Sequence, residues 1–97
     1  MIYAIEEIKH IVIPTAKSYD IESISLFGSY AKGNATPNSD IDFIIEKGDL
    51  VGIKYFSMLE ELENAFNCKI DLITTRFSNK EFLNRIKKDA ILIYERE

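Results

Sequence analysis

Three aspartates stand where strands would ordinarily bury apolar side chains. Asp40 and Asp42 lie two residues apart in "SDIDFII", and Asp71 sits alone in "CKIDLIT". Side chains alternate across a strand with a period of two, so Asp40, Asp42 and Ile44 project one way and Ile41, Phe43 and Ile45 the other. The two acids are then about 6.6 Å apart at their backbones, close enough for both carboxylates to reach one cation or for one to bridge two. Asp71 falls on the face opposite Ile70 and Leu72, so all three carboxylates converge if its strand pairs beside the first. Like charges beside an apolar core raise one another's pKa. Mg²⁺, a hard ion bound by one or two carboxylates plus waters or phosphates, offsets that repulsion. The plainer alternative is a solvated strand edge, with Asp40 capping a turn. The third acid weighs against it, because buried carboxylates are rare.

A second set of residues precedes the acids. The apolar run Ser25-Leu26-Phe27 ends at Gly28-Ser29. Gly28 permits a backbone shape that other residues resist and lets a ligand approach closely. Ser29 offers a hydroxyl at the start of a short helical turn, whose unpaired N–H groups suit phosphate. Gly33 lets the following loop fold back. An ordinary strand exit would read the same way, and neither the P-loop nor the dinucleotide spacing is present. Phosphate donors beside metal-binding acids form a working set. A metal polarises a triphosphate, Ser29 and nearby amides hold its outer phosphates, and the third acid takes the proton of an attacking hydroxyl. Bridging aspartates also suit two ions about 3.5–4 Å apart.

The elements that must position these groups follow from periodicity. Ile5, Ile8, Ile11 or Val12, Ala16 and Tyr19 recur at helical spacing, with Pro14 predicting a kink or two abutting helices near Ile13. Residues 22–27 read as a strand, 29–32 as a short turn or loop, 33–39 as a turn-rich connection and 40–46 as a second strand. Residues 52–67 form an amphipathic helix and 69–74 a third strand. Ser78 with Glu81 matches a capping box that opens a last helix. Residues 91–94 extend that helix or form an edge strand, the β-branched content favouring the strand. The alternation predicts an α/β fold: a small sheet with helices mostly on one side, in a single domain over residues 1–97.

Composition narrows the function classes. The 97 residues are 46% hydrophobic, enough for a core, and carry a formal charge of -4. Residues 1–49 hold eight acids against four Lys or Arg, and residues 50–97 hold eight of each. That balance argues against direct binding of nucleic acid, which rests on a basic face. One cysteine, Cys68, precludes an internal disulfide and points to a reducing, cytoplasmic setting. No apolar run approaches the roughly 20 residues of a membrane span, and no signal-peptide pattern opens the chain.

Gly28-Ser29, Gly33, Ser39-Asp40-Ile41-Asp42 and the isolated Asp71 together resemble the nucleotidyltransferase superfamily that includes DNA polymerase beta. Over nearly its full length the chain resembles the minimal nucleotidyltransferases, antitoxins commonly paired with a HEPN-domain ribonuclease toxin. The resemblance implies a mixed sheet flanked by helices, with Mg²⁺ and ATP at the strand ends. It implies transfer of AMP onto a tyrosine of the HEPN partner. On this view Asp40, Asp42 and Asp71 are the metal ligands, and Asp71 also activates the incoming tyrosine hydroxyl. Gly28 and Ser29 position the β- and γ-phosphates, with Lys32, Gly33, Ser39 and Arg76 also at the nucleotide. The family usually has arginine where this chain has Lys32, which keeps the charge and loses the bidentate fork. The alternative function is a non-catalytic antitoxin that silences its HEPN partner by binding alone.

Lesser candidates read more plainly. Arg76, Lys80, Arg85, Lys87 and Lys88 form the main basic cluster, first of all a solvated helix face balanced by Glu81 and Asp89, the functional alternative being contact with triphosphate or with an acidic partner surface. Within it Arg76 is the leading phosphate contact, since it lies just past the strand of Asp71. His10 has no partner spaced to make a site, and Cys68 reads as a small buried filler.

Overall fold

The computed structural model describes residues 2–46, 52–75 and 79–96. In chain order these form α1 (Ile5–Ser18), β1 (Ser23–Phe27), α2 (Gly28–Lys32), β2 (Ile41–Glu46), α3 (Ile53–Phe66), β3 (Ile70–Thr74), α4 (Lys80–Lys87) and β4 (Ile91–Glu95). The four strands make one sheet in the order β3-β2-β1-β4. β1 runs antiparallel to β2 and β4, and β2 runs parallel to β3, the connection that needs a helix between the strands. This is the expected mixed α/β sheet with flanking helices.

One face of the sheet carries the core. Ile24 and Leu26 of β1, Ile41, Phe43 and Ile45 of β2, Ile70 and Leu72 of β3 and Ile93 of β4 are all buried. They pack with Ile8, Val12 and Ala16 of α1 and Met58, Leu62 and Phe66 of α3, residues spaced three or four apart on each helix. Phe66 sits at the centre, 6.2 Å from the Phe43 ring and edge-on to Tyr3 at 5.1 Å. The Tyr3 hydroxyl donates to the Phe66 carbonyl at 2.6 Å, tying the chain start to the end of α3. Burying each such side chain contributes about 1.5–3 kcal/mol, so this face supplies most of the stability.

Helix α1 is one continuous element through Pro14 rather than two abutting helices. Pro14 and His10, one turn earlier, are both exposed. The carbonyl that proline cannot serve therefore faces water rather than a packed neighbour. At the other end of the chain, α4 is capped by Asn79, whose Oδ1 accepts from the Glu81 N–H at 2.7 Å and the Phe82 N–H at 3.4 Å. The cap is thus one residue beyond the expected Ser78, which with Arg76 lies outside the described residues. Residues 91–95 adopt the strand alternative and close the sheet beside β1. Among the described residues no helix is long and apolar enough to cross a membrane.

Candidate active site

The face of the sheet opposite the core carries the chemistry. In the β1–β2 pair Phe27 stands opposite Asp42, and in the β2–β3 pair Asp42 stands opposite Asp71. Partners in register share a face, so Phe27, Asp42 and Asp71 form one row across three adjacent strands. The apolar end of the row is covered by α4, with the Phe82 ring edge-on to Phe27 at 6.4 Å. Asp71 is exposed on the edge strand and Asp42 half-buried between its neighbours.

Gly28 closes this row from the end of β1. Its φ of +72° lies in the left-handed region that disfavours residues with a β-carbon. A β-carbon there would overlap Asp42 Oδ2 and lie 3.1 Å from Asp42 Cγ. The glycine is therefore required twice, by the turn from strand into α2 and by the carboxylate leaning on its α-carbon. Ser29 follows in the first turn of α2, and its hydroxyl makes no hydrogen bond among the described residues.

Electrostatics single out Asp42. Burial first, then the charges of Asp71 and Asp40 and a hydrogen bond with Asp71, push its carboxyl from the ordinary 3.8 up to about 6. The Asp42 and Asp71 side chains are thus a close pair whose shared negative charge is unfavourable without a counterion. Asp40 stands just before β2, near enough for its charge to act on Asp42, and pairs with Lys69 at 4.0 Å. Among the described residues no three His, Cys, Asp or Glu side chains are placed to hold a metal ion together. The arrangement is a carboxylate pair with a third acid turned to a lysine. An all-oxygen donor set under mutual repulsion fits a hard dication such as Mg²⁺.

The remaining residues divide. Lys32 and Gly28 line a cleft of about 350 Å³ between α2 and α4. Gly33 takes φ +79° as the left-handed terminator of α2, where a β-carbon would meet nothing within 4 Å. The Ser39 hydroxyl accepts from the Thr36 N–H at 2.9 Å and closes the turn before β2. Arg85, a member of the basic cluster in which Arg76 is the expected phosphate contact, reaches the same cleft as Gly28 and Lys32. Its position three residues after Phe82, on one helical face, is the signal that would have found it.

Tyr55 of α3 is the other neighbour that the sequence reading did not single out for the site. Its hydroxyl donates to the carbonyl of Leu72, next to Asp71 on the edge strand. Burial, and after it the Asp71 charge, raises the Tyr55 pKa above its usual 10.0.

Comparison with known proteins identifies the family and the fold. Residues 6–97 match the family described as "Polymerase beta, Nucleotidyltransferase". The chain is 40% identical over 75 residues to MJ1215 of Methanocaldococcus jannaschii, covering 72% of this chain and 87% of that protein. It is 31% identical over 74 residues to protein adenylyltransferase MntA of Thermococcus cleftensis, covering 71% of this chain and 75% of MntA. In fold it is similar to a chain of a toxin–antitoxin crystal structure with AMP-PNP, at TM-score 0.80 and 22% identity over 92% of this chain and 74% of that one. It is also similar to a chain from the complex of tri-AMPylated Shewanella oneidensis HEPN toxin with MNT antitoxin, at TM-score 0.74 and 18% identity, covering 95% of this chain and 73% of that one. The paired acids beside a glycine turn thus sit in a chain that belongs to the polymerase beta nucleotidyltransferase family.

Proposed function

We propose that this chain transfers AMP from ATP to a tyrosine hydroxyl of a HEPN-domain toxin and so acts as its antitoxin. The observation that carries the reading is the in-register pair Asp42–Asp71, set beside Gly28 on the open face of the sheet. Family membership supports nucleotidyl transfer. The name of the MntA relative, a protein adenylyltransferase, supports AMP as the group moved and a protein as the acceptor. The similar fold found in a complex with a tri-AMPylated HEPN toxin supports the class of that acceptor.

Asp42 and Asp71, with Asp40 beside them, would hold Mg²⁺. When bound, the ion would neutralise the triphosphate and polarise its α-phosphorus. Gly28 lets the Asp42 carboxylate lie against the backbone where the strand ends, and the Ser29 hydroxyl in the next turn is free to donate to the phosphate chain. Asp71, exposed on the edge strand, takes the proton of the tyrosine hydroxyl as its oxygen bonds to the α-phosphorus. The bond to the β-phosphate oxygen breaks in line, and pyrophosphate leaves with the electron pair.

The test is the intact mass of the HEPN partner after incubation with this chain, ATP and Mg²⁺. A gain of one or more AMP units is expected, with none from Asp42→Asn. Transfer that persists in that variant rejects the assigned site. The alternative, inhibition by binding alone, rests on Asp40 being engaged by Lys69 rather than joined to the other two acids. It requires Asp42→Asn to protect cells from the toxin as well as the parent does.

A further inference from the structure

Helix α4 is the most polar of the helices, and its one packed aromatic determines where its charges go. Phe82 is seated on Phe27. Arg85, three residues later on the same helical face, is thereby turned to the cleft that Gly28 and Lys32 line. Of the basic residues 80, 85, 87 and 88 around this helix, only Arg85 lines it. Among the described residues neither Arg85 nor Lys32 has an ion-pair partner. Two unpaired cations therefore converge from different helices on one concave space. Among the described residues Asp89 is the single acid on its lining.

The cleft also has a fixed relation to the acids. Gly28 lines it, and the Asp42 carboxylate leans on the same glycine. An anion in the cleft is thus one backbone residue from the carboxylate pair. Its volume of about 350 Å³ lies at the small end of ligand sites. Lysine offers such an anion a point charge, whereas the planar guanidinium offers two parallel donors to one phosphate.

We propose that Arg85 supplies the forked cation for the outer phosphates of the nucleotide, the fork that Lys32 lacks. This rests on the nucleotide reading given above and adds a residue to it. It also divides labour between the cations. Lys32 contributes charge from α2, and Arg85 contributes charge and orientation from α4.

Calorimetric binding of a non-hydrolysable ATP analogue, and separately of AMP, to the whole chain in Mg²⁺ tests the assignment. Arg85→Ala is expected to weaken the analogue about tenfold or more, the loss of a charge-assisted pair, and to leave AMP within about twofold. Arg85→Lys should recover part of the loss. Adding Lys32→Arg to Arg85→Ala should recover more, because a fork returns to the same cleft. Arg85 is exposed, so folding should survive. If Arg85→Ala melts early, Arg85→Gln keeps the stem and is measured instead. Unchanged affinity for the analogue, or equal weakening of AMP, overturns the role of Arg85 and leaves the nucleotide reading standing. Failure of the parent chain to bind the analogue at all overturns both.

Discussion

Gly28 and Asp42 occupy one another's space: the carboxylate of Asp42 lies where a β-carbon of residue 28 would be. The strand end and the acid are therefore a single unit. A side chain at residue 28 cannot be placed without moving Asp42, and the first prediction follows from that.

Gly28→Ala should be destabilising, and more so than the same change at Gly33. The left-handed backbone alone costs about 1–2 kcal/mol for a residue with a β-carbon. The overlap with Asp42 adds to this by forcing the carboxylate off its place. Gly33→Ala has a similar φ and no overlap, so it bears the conformational part only. Thermal melts of both should show Gly28→Ala lower, each 1 kcal/mol corresponding to roughly 4–8 °C in a chain of this size.

Metal-free stability should fall as pH rises through about 6 on account of Asp42. Its carboxyl is raised from 3.8 in the unfolded chain to about 6 in the fold, so the folded state holds the extra proton between those values. The stabilisation is full below about 3.8 and is lost above about 6. In EDTA, the difference in melting temperature between Asp42→Asn and the parent should therefore grow in favour of the variant from pH 5 to pH 8. Added Mg²⁺ should reverse that trend for the parent alone. A pH-independent difference would remove Asp42 from the repulsive pair.

Lys69 competes for Asp40 with any cation at the site. The pair is solvent-exposed and worth about 0.2–1 kcal/mol. Lys69→Met should accordingly lower the Mg²⁺ concentration for half-maximal nucleotide binding by up to about fivefold. A rise in that concentration would mean that Lys69 serves the site rather than competing with it.

Tyr55→Phe should destabilise the chain through β3. The tyrosine hydroxyl serves the Leu72 carbonyl, and without it that partly buried acceptor loses a partner worth about 1 kcal/mol. A melting temperature lower by about 4–8 °C is expected. A melt indistinguishable from the parent would show that water replaces the hydroxyl at no loss.

That Asp40 and Asp42 share one face of their strand, and that Asp71 lies opposite Ile70 and Leu72, was legible before any coordinates; the place of Phe27 beside them was not. Period-two alternation fixes the face of each side chain within its strand, and the apolar neighbours identify which face is buried. What alternation cannot give is lateral placement. That Asp71 meets Asp42 depends on a parallel register, whereas Asp40 instead meets Lys69, a residue on the approach to β3. Arg85 was hidden for the same reason. Helical spacing groups it with Phe82, but only the packing of Phe82 on Phe27 says what that face looks at. Two separate helices at Pro14 did not form because the carbonyl of His10, which loses its N–H partner there, lies on the exposed side of α1 where water serves it. The Asn79 cap was missed because Ser78 offered an equally good local pattern one residue earlier.

The position of β3 at the sheet's margin has a bearing on size. An acid on a central strand can be met only from above, through whatever gap the covering helices leave. Among the described residues Asp71 is open sideways as well. A hydroxyl on a bulky carrier, as the proposed acceptor is, can approach along that flank without a hinge opening first.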